Sequence, residues 1–144
     1  MQADPATVSP SMAGDEPGAA SHLRWARLVE QGMPLTWLHQ VAQAVAPDDT
    51  RFIASIVPKA TLSRRRAAPS AALSPEEGNK VARLHKVWEM AMRVWQNEAD
   101  ARNFLGRPHP MLEGRTPRDL AVASDPGADA VVNIIGRGAY GGGV

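Results

Sequence analysis

The chain has 144 residues, a formal net charge of +1 and no cysteine, so it can build one moderate domain or two very small ones but no disulfide or cysteine metal site. No apolar run approaches the roughly 20 residues of a membrane span. The N-terminus lacks the basic start and apolar core of a secretory signal, and together with the missing cysteine this predicts a cytoplasmic protein without membrane contact.

The N-terminal region combines an unpatterned arm with two predicted helices. Residues 1–20 are rich in Ala, Pro, Gly, Ser and Asp without apolar periodicity, which predicts disorder. Ser21 is a candidate cap for a helix over 22–31, which Gly32 would end. Pro34 opens a second helix whose apolar positions share one face. These positions are Leu35, Leu38, Val41, Ala42 and Val45.

Two short helical segments with a tight break follow. Asp48 is a candidate cap for the first, over 49–57, which Pro58 stops, and the second begins at Thr61. Residues 51–70 hold five Lys or Arg and no acid. This is the outline of a helix-turn-helix. The candidate DNA-binding residues are Lys59, Thr61, Ser63, Arg64, Arg65 and Arg66.

The three consecutive arginines of the second segment cannot all face one groove, because successive helical residues are about 100° apart. We expect one or two of them on base edges and the rest on phosphates. We predict that Arg65→Ala weakens operator binding and flattens its salt dependence by about one contact. The alternative is a solvated basic helix face that binds no DNA.

The longest predicted helix spans residues 74–96. Its start, Ser74-Pro75-Glu76-Glu77, predicts a capping box with proline at the first helical position. One apolar stripe contains Val81, Leu84, Trp88, Ala91 and Trp95, and a second contains Val87, Met90 and Val94. Two apolar faces need two neighbours. Either both faces pack inside one domain, or Val87, Met90 and Val94 form the contact of a homodimer.

Three further helices are predicted, each from a capping residue. Asn97 caps a segment that ends at Leu105, Thr116 caps a short one, and Ser124 begins the last helix. Residues 109–115 form a loop. The end of the last helix is expected to be flexible because of its glycines. These glycines are Gly136, Gly138, Gly141, Gly142 and Gly143.

These segments resemble the Xre/MbcA/ParS antitoxins in order and spacing. Residues 57–65 resemble the entry to their recognition helix and 73–77 the start of their central helix. The opening of their toxin-binding domain is similar to 101–105, 107–109 and 112–117, and its close to Gly127, Ala128, Val131, Ile135, Arg137, Tyr140 and Gly141. Departures are Ala60 for a basic residue, Gly78 for serine, Phe104 for tryptophan, His109 for asparagine and Glu113 for glycine.

The resemblance implies an all-α fold. Its parts would be the arm (1–20), an Xre-like helix-turn-helix DNA-binding domain (21–73), a central linking and dimerisation helix (74–97), and a small helical toxin-binding domain with a glycine-rich tail (98–144). It implies a type II antitoxin that is no enzyme and has no cofactor or metal. The implied partners are operator DNA, a second copy of the chain, and a RES-domain toxin that consumes NAD or transfers its ADP-ribose. The complex would repress its own operon.

The candidate toxin-binding residues lie in the last third of the chain. A glycine-rich backbone can enter a narrow cleft, Tyr140 offers a stiff amphipathic anchor, and the Arg137 guanidinium suits a site for an anionic cofactor. We hypothesise that this tail plugs the NAD pocket of the toxin, and the alternative is a frayed end. The full set is Arg107, His109, Glu113, Arg115, Arg137, Tyr140 and Gly141.

Two other functions fit parts of the sequence. A stand-alone helix-turn-helix transcriptional regulator with a self-association domain would lack a neighbouring reading frame for a RES-like protein. An enzyme is disfavoured because no reactive pair comes with a positioned partner. The four histidines, His22, His39, His85 and His109, lack the spacing of zinc ligands, and His85 is expected to pack half-buried beside the apolar stripe.

Overall fold

The computed structural model describes residues 18–68 and 71–139, with the side chains of 22–68 and 71–138. These residues form eight α-helices and no β-sheet, which confirms the all-α prediction. The helices are α1 (Gly18–Gln31), α2 (Leu35–Val45), α3 (Phe52–Ile56), α4 (Lys59–Arg66), α5 (Pro75–Trp95), α6 (Glu98–Gly106), α7 (Pro117–Ala123) and α8 (Asp125–Ala139). A 3₁₀ turn, Pro110–Leu112, separates α6 from α7. None of the described helices is long and apolar enough to cross a bilayer.

The chain divides into two compact units, Met1–Ala82 and Arg83–Val144. Helix α5 belongs to the first unit over its first two turns and to the second over the rest. The core of the first unit comes mainly from one face of α2, as its periodicity predicts. This core contains Met33, Leu35, Trp37, Leu38, Val41, Val45, Phe52, Ile56, Val57, Leu62, Leu73 and Val81.

The two ends of α1 differ in how well the sequence predicts them. Gly32 ends the helix with a positive φ of 97°, as expected of a glycine at that position. The start lies at Gly18, earlier than the predicted cap at Ser21. Residues 1–17 of the expected arm lie outside the described residues. The segment just before α5 pairs with the segment that leads into α2, because Leu73 N donates to Met33 O at 2.7 Å.

The predicted start of α3 is wrong. Asp48 does not cap a helix over 49–57, and α3 has only five residues. The Asp49 side chain instead accepts from Arg51 N at 3.0 Å, and Asp49 N donates to Ala46 O at 3.2 Å. These bonds close a turn before α3. The helix starts later than predicted because an aspartate side chain that bonds the backbone amide two residues on favours a turn over a helix.

Helix α4 begins at Lys59, two residues before the predicted Thr61. Pro58 is the residue before the helix, with a φ of −54° and an extended ψ of 144°. The Pro58 carbonyl accepts from Leu62 N at 2.9 Å and so makes the first bond of the helix. Only Val57 and Pro58 separate α3 from α4, which is the tight break of a helix-turn-helix.

The capping box at the start of α5 is confirmed. Ser74 N donates to Glu77 Oε1 at 2.8 Å, and Glu77 N donates to Ser74 Oγ at 3.3 Å. Helix α5 ends at Trp95 because Gln96 adopts a left-handed φ of 53°. The first apolar stripe is buried at Val81, Leu84, Trp88 and Ala91, and Trp95 is half-buried.

The second apolar stripe of α5 is partly occupied inside the second unit. Val87 is fully buried, while Met90 and Val94 are half-buried. The Met90 methyl lies 3.9 Å from where a β-carbon on Gly136 of α8 would stand. This stripe therefore packs in part within the chain, and His85 beside it is more deeply buried than the half-buried position expected.

The second unit is built on three caps that the sequence predicts. Asn97 accepts from Asp100 N at 3.1 Å, Thr116 Oγ1 from Asp119 N at 3.2 Å, and Ser124 Oγ from Gly127 N at 3.0 Å. These bonds begin α6, α7 and α8. The buried side chains of the unit are Leu84, Val87, Trp88, Ala91, Ala101, Leu105, Leu112, Ala121, Val122, Ala128, Val131, Ile134 and Ile135.

Arg83 of α5 ties this unit together at the corner between α7 and α8. Its Nε donates to Ala121 O at 2.9 Å and its Nη2 to Val122 O at 2.6 Å. Its Nη1 lies 3.3 Å from Asp125 Oδ1 at the start of α8. One guanidinium thus satisfies carbonyls at the end of α7, where a cation is also favoured by the helix dipole.

The expectation that Gly136 and Gly138 loosen the end of the last helix is wrong. Both lie inside α8, which continues to Ala139. Burial of Val131, Ile134 and Ile135 on the same helix outweighs the low helix propensity of the glycines. Arg137 is exposed on the same helix. Tyr140 and Gly141 to Gly143 lie outside the described residues.

Candidate DNA-binding helix and protein-binding loop

The outward surface of α4 is polar and centred on Arg64. Of the eight residues of this helix, all of them described, only Leu62 is buried. Successive residues turn by about 100°, so Arg64 lies about 160° from Leu62, on the side that faces away from the core. Lys59, Ser63 and Arg64 are exposed and Thr61 is half-buried. This surface can reach phosphates and base edges without unpacking the helix.

Arg65 has a different environment from Arg64. It lies only about 60° from Leu62 on the helix, and its side chain is 27% exposed. Its Nη1 pairs with Oε1 of Glu77 in the first turn of α5, whose side chain is 12% exposed. The same oxygen accepts from Ser74 N. Arg65 is therefore joined to the capping box of the next helix.

Arg66 lies on the other side of Leu62 and contacts α2. Its Nη2 is 3.3 Å from His39 Nε2, so a neutral His39 with the acceptor at Nε2 can take a hydrogen bond from the guanidinium. Burial lowers the pKa of His39 below its ordinary value of 6.5, and the charge of Arg66 lowers it further. The neutral form that accepts from Arg66 is thus favoured.

The candidate DNA-binding residues therefore fall into two groups. Lys59, Thr61, Ser63 and Arg64 lie on or near the outward face, whereas Arg65 and Arg66 flank the buried Leu62 and contact Glu77 and His39. Sequence reasoning missed Glu77 and His39. The lone leucine in a polar helix could have shown which arginine faces outward, but no local signal identifies partners 12 and 27 positions away.

The loop after α6 is closed by the backbone of His109. His109 N donates to Arg115 O at 3.1 Å, and His109 O accepts from Gly114 N at 3.1 Å. Its Nδ1 accepts from Met111 N at 3.1 Å. The imidazole thus caps the 3₁₀ turn as an asparagine side chain would, which explains how histidine fits a position where the resembled family has asparagine.

The loop displays one large apolar side chain. Met111 is 59% exposed, while the preceding bonds fix its backbone. In the described part of the chain, Leu23 on α1 is the other large apolar side chain that is exposed, at 57%. An exposed methionine on a fixed loop suits contact with another protein, because its side chain adapts to irregular surfaces.

A pocket of about 170 Å³ lies beside this loop. Trp95 and Phe104 stack at 4.8 Å between ring centroids, and the His109 ring meets Phe104 edge-on at 5.9 Å. Arg107 Nη2 donates to Asn103 Oδ1 at 3.0 Å on the rim. The lining residues are Trp95, Asp100, Asn103, Phe104, Arg107, Pro108 and His109. An aromatic floor with a polar rim can seat a projecting side chain of a partner.

The candidate toxin-binding residues are only partly brought together. Arg107, His109, Glu113 and Arg115 belong to or border the closed loop. Glu113 is exposed with a left-handed φ of 57°, which fits the glycine usual in the resembled family. Arg137 lies on α8, and Tyr140 and Gly141 lie outside the described residues. Sequence reasoning missed Trp95, Phe104 and Met111 as surface features.

Two parts of the chain match known protein families. Residues 24–84 match the antitoxin Xre-like helix-turn-helix domain. Residues 90–141 match the antitoxin Xre/MbcA/ParS C-terminal toxin-binding domain. No match was found among curated proteins. The first match contains α4, and the second contains the pocket and the closed loop.

Proposed function

The chain belongs to the Xre/MbcA/ParS antitoxins, and we propose that it neutralises a RES-domain toxin and represses its own operon. It is a non-enzymatic antitoxin with a helix-turn-helix DNA-binding domain and a C-terminal toxin-binding domain. The observation that carries the proposal is the separation of two surfaces. An outward basic face lies on α4 in the first unit, and an aromatic pocket with an exposed loop lies in the second.

DNA binding is assigned to the outward face of α4. Arg64 can bridge guanine O6 and N7 or contact a phosphate, and Lys59 adds a second cation. Thr61 and Ser63 supply short hydroxyls suited to base edges or phosphate oxygens. Arg65 and Arg66 add to the positive charge of the helix, although their side chains contact Glu77 and His39. Binding of this helix to the operator would block transcription. The complex would act in the cytoplasm, where the DNA lies.

A homodimer is part of the proposal because helix-turn-helix proteins commonly read two half-sites. The half-buried Met90 and Val94 are the members of the second stripe that can still meet another chain. Val87, which is fully buried, would support them from beneath. The dimer contact is therefore expected at the C-terminal half of α5.

Toxin binding is assigned to the pocket and the closed loop. Met111 would enter the partner, while a projecting side chain of the toxin would sit against Phe104 and Trp95. Arg107, His109, Glu113 and Arg115 surround these features with polar groups able to orient the partner. The exposed Arg137 at the end of α8 would lie near an anionic NAD site of the toxin.

The last residues are proposed to obstruct that NAD site, with Tyr140 as the anchor and Gly141 allowing close approach. Deletion of residues 139–144 tests this assignment. The truncated chain should lose inhibition of the toxin while it binds operator DNA as the full chain does. Full inhibition by the truncated chain would dismiss the plug and leave the loop as the toxin-binding surface.

Co-expression tests the function as a whole. A RES-domain protein encoded beside this chain should co-purify with it and should consume NAD only when the chain is absent. A stand-alone transcriptional regulator, the alternative, would bind DNA but retain no such partner. If a neighbouring RES protein consumes NAD equally well with and without this chain, the proposal that the chain neutralises a RES-domain toxin is contradicted.

A further inference from the structure

Helix α4 is held by few contacts for an element that must present side chains accurately. Leu62 is its single buried residue, and one apolar anchor does not by itself fix the rotation of a helix about its axis. Rotation decides where Arg64 points, and a DNA-reading helix must meet phosphates and base edges at defined positions. A second fixed point on α4 is therefore needed.

The contact between Arg66 and His39 is exposed, whereas Arg65, three residues after Leu62, provides a shielded second point. Its Nη1 pairs with Glu77 Oε1. Both side chains are mostly shielded, at 27% and 12% exposure, so the ion pair is screened less by salt than a pair on the open surface. Because α4 and α5 are joined here by opposite charges, the pair restrains rotation of α4 about its axis.

Glu77 is itself firmly held. Its Oε1 accepts from Ser74 N at 2.8 Å, and its backbone N donates to Ser74 Oγ at 3.3 Å. Its position in the first turn of α5 also favours a negative charge. One turn later, Lys80 Nζ lies 3.5 Å from Ile56 O at the end of α3. The start of α5 therefore contacts both helices of the helix-turn-helix.

We propose that Glu77 is a positioning residue for DNA binding, which acts through Arg65 to set the rotation of α4. This inference rests on the proposed contact of α4 with DNA. The proposal and long-range charge repulsion predict opposite changes in DNA affinity when the charge of Glu77 is removed. Removal of a negative charge beside a DNA-binding helix should strengthen binding if only long-range repulsion matters. Removal of the Glu77 charge instead weakens binding, because Arg64 loses its fixed direction.

Glu77→Gln tests the proposal in the full chain, with a duplex from upstream of its own operon as the probe. The amide keeps an oxygen for Ser74 N but offers no charge to Arg65. Glu76→Gln is the matched control, since Glu76 is the adjacent, exposed acid of the same turn. We expect Glu77→Gln to weaken binding about tenfold, a common size for coupling between contacting charged groups. Glu76→Gln should bind as tightly as the natural chain or slightly more tightly. Unchanged or tighter binding by a folded Glu77→Gln variant would overturn the proposal.

Arg65→Gln is the second variant, and it leaves the capping box intact. It should lower the affinity for the duplex about as much as Glu77→Gln does. The double variant should bind no more weakly than the single variant of lower affinity. The slope of log affinity against log salt should change equally in Arg65→Gln and Glu77→Gln, because both variants act through Arg64. A slope lower by about 0.9 in Arg65→Gln than in Glu77→Gln would identify Arg65 as a phosphate contact and overturn the positioning role. Thermal unfolding shows whether each variant is folded, and Arg65→Gln decides the question if Glu77→Gln is not. Failure of the natural chain to bind the duplex would count against the proposed function instead.

Discussion

The backbone of Gly127 lies so close to the carbonyl oxygen of Leu120 that a β-carbon at position 127 could not fit without a shift of one of them. The amide of Gly127 donates to Ser124 Oγ in the cap of α8. Glycine is thus required where the first turn of α8 passes the end of α7, and the corner of the second unit depends on it.

Gly127→Ala should destabilise the chain by about 1–3 kcal/mol, as overpacking against a fixed neighbour usually does. For a unit of this size, each kcal/mol lowers the melting temperature by about 4–8 °C, which calorimetry can measure. Gly106→Ala is the control, because a β-carbon there meets the flexible end of Arg118 at an ordinary 3.5 Å. Equal melting temperatures for the two variants would show that the α7–α8 corner tolerates a side chain.

Arg64→Gln should weaken operator binding and lower the slope of its salt dependence by about 0.9, the value for one phosphate contact. The physical reason is the exposed position of Arg64 opposite Leu62 on α4. A filter-binding or anisotropy titration over a range of salt measures both quantities. Arg115→Gln, an equal loss of charge from an exposed residue of the second unit, should leave the slope unchanged. A common slope for both variants would remove Arg64 from the DNA contacts.

Met111→Ser should weaken toxin binding at least about fivefold without lowering the melting temperature. A methionine that is 59% exposed contributes little to the core, but its burial in an interface would be lost. Leu23→Ser offers a matched control, since Leu23 is 57% exposed in the first unit. Calorimetric titration with the toxin measures the effect. Equal toxin affinity for Met111→Ser and the natural chain would place the interface elsewhere.

The lowered pKa of His39 makes stability fall as the pH falls. Burial, and then the charge of Arg66, lower this pKa in the folded chain below the 6.5 of the unfolded chain. Between the folded and the unfolded pKa, the unfolded chain binds more protons than the folded chain. The contribution of His39 to the free energy of unfolding is therefore complete above pH 6.5 and is lost as the pH falls through the folded pKa. Urea unfolding should therefore show a smaller loss of stability from pH 7.5 to pH 5 for His39→Gln than for the natural chain. An identical loss in both would contradict this origin.

Helix starts that depend on a residue and its next few neighbours could be predicted from the sequence. The caps at Ser74, Asn97, Thr116 and Ser124 are of this kind, because each side chain bonds an amide three positions later. The start of α3 was predicted wrongly because Asp49 closes a turn. A local pattern of two adjacent aspartates does not show which of them bonds the backbone.

Features that depend on distant parts of the chain could not be predicted. Gly136 lies within α8, where it faces Met90, 46 positions away in sequence. The ion pair of Arg65 requires α4 and α5 to lie side by side. The pocket likewise needs the stacking of Trp95 on Phe104 across the break between α5 and α6. Periodicity identifies such residues as apolar or charged, but tertiary packing decides which of them remain at the surface.

We propose that DNA binding and toxin inhibition use separate surfaces of one chain. Operator binding and inhibition of NAD consumption by the proposed RES-domain partner can be measured on the same preparations of Arg64→Gln and Met111→Ser. Arg64→Gln should lose operator binding and inhibit the toxin fully, whereas Met111→Ser should bind the operator fully and inhibit poorly. Loss of both activities in either folded variant would contradict the claim.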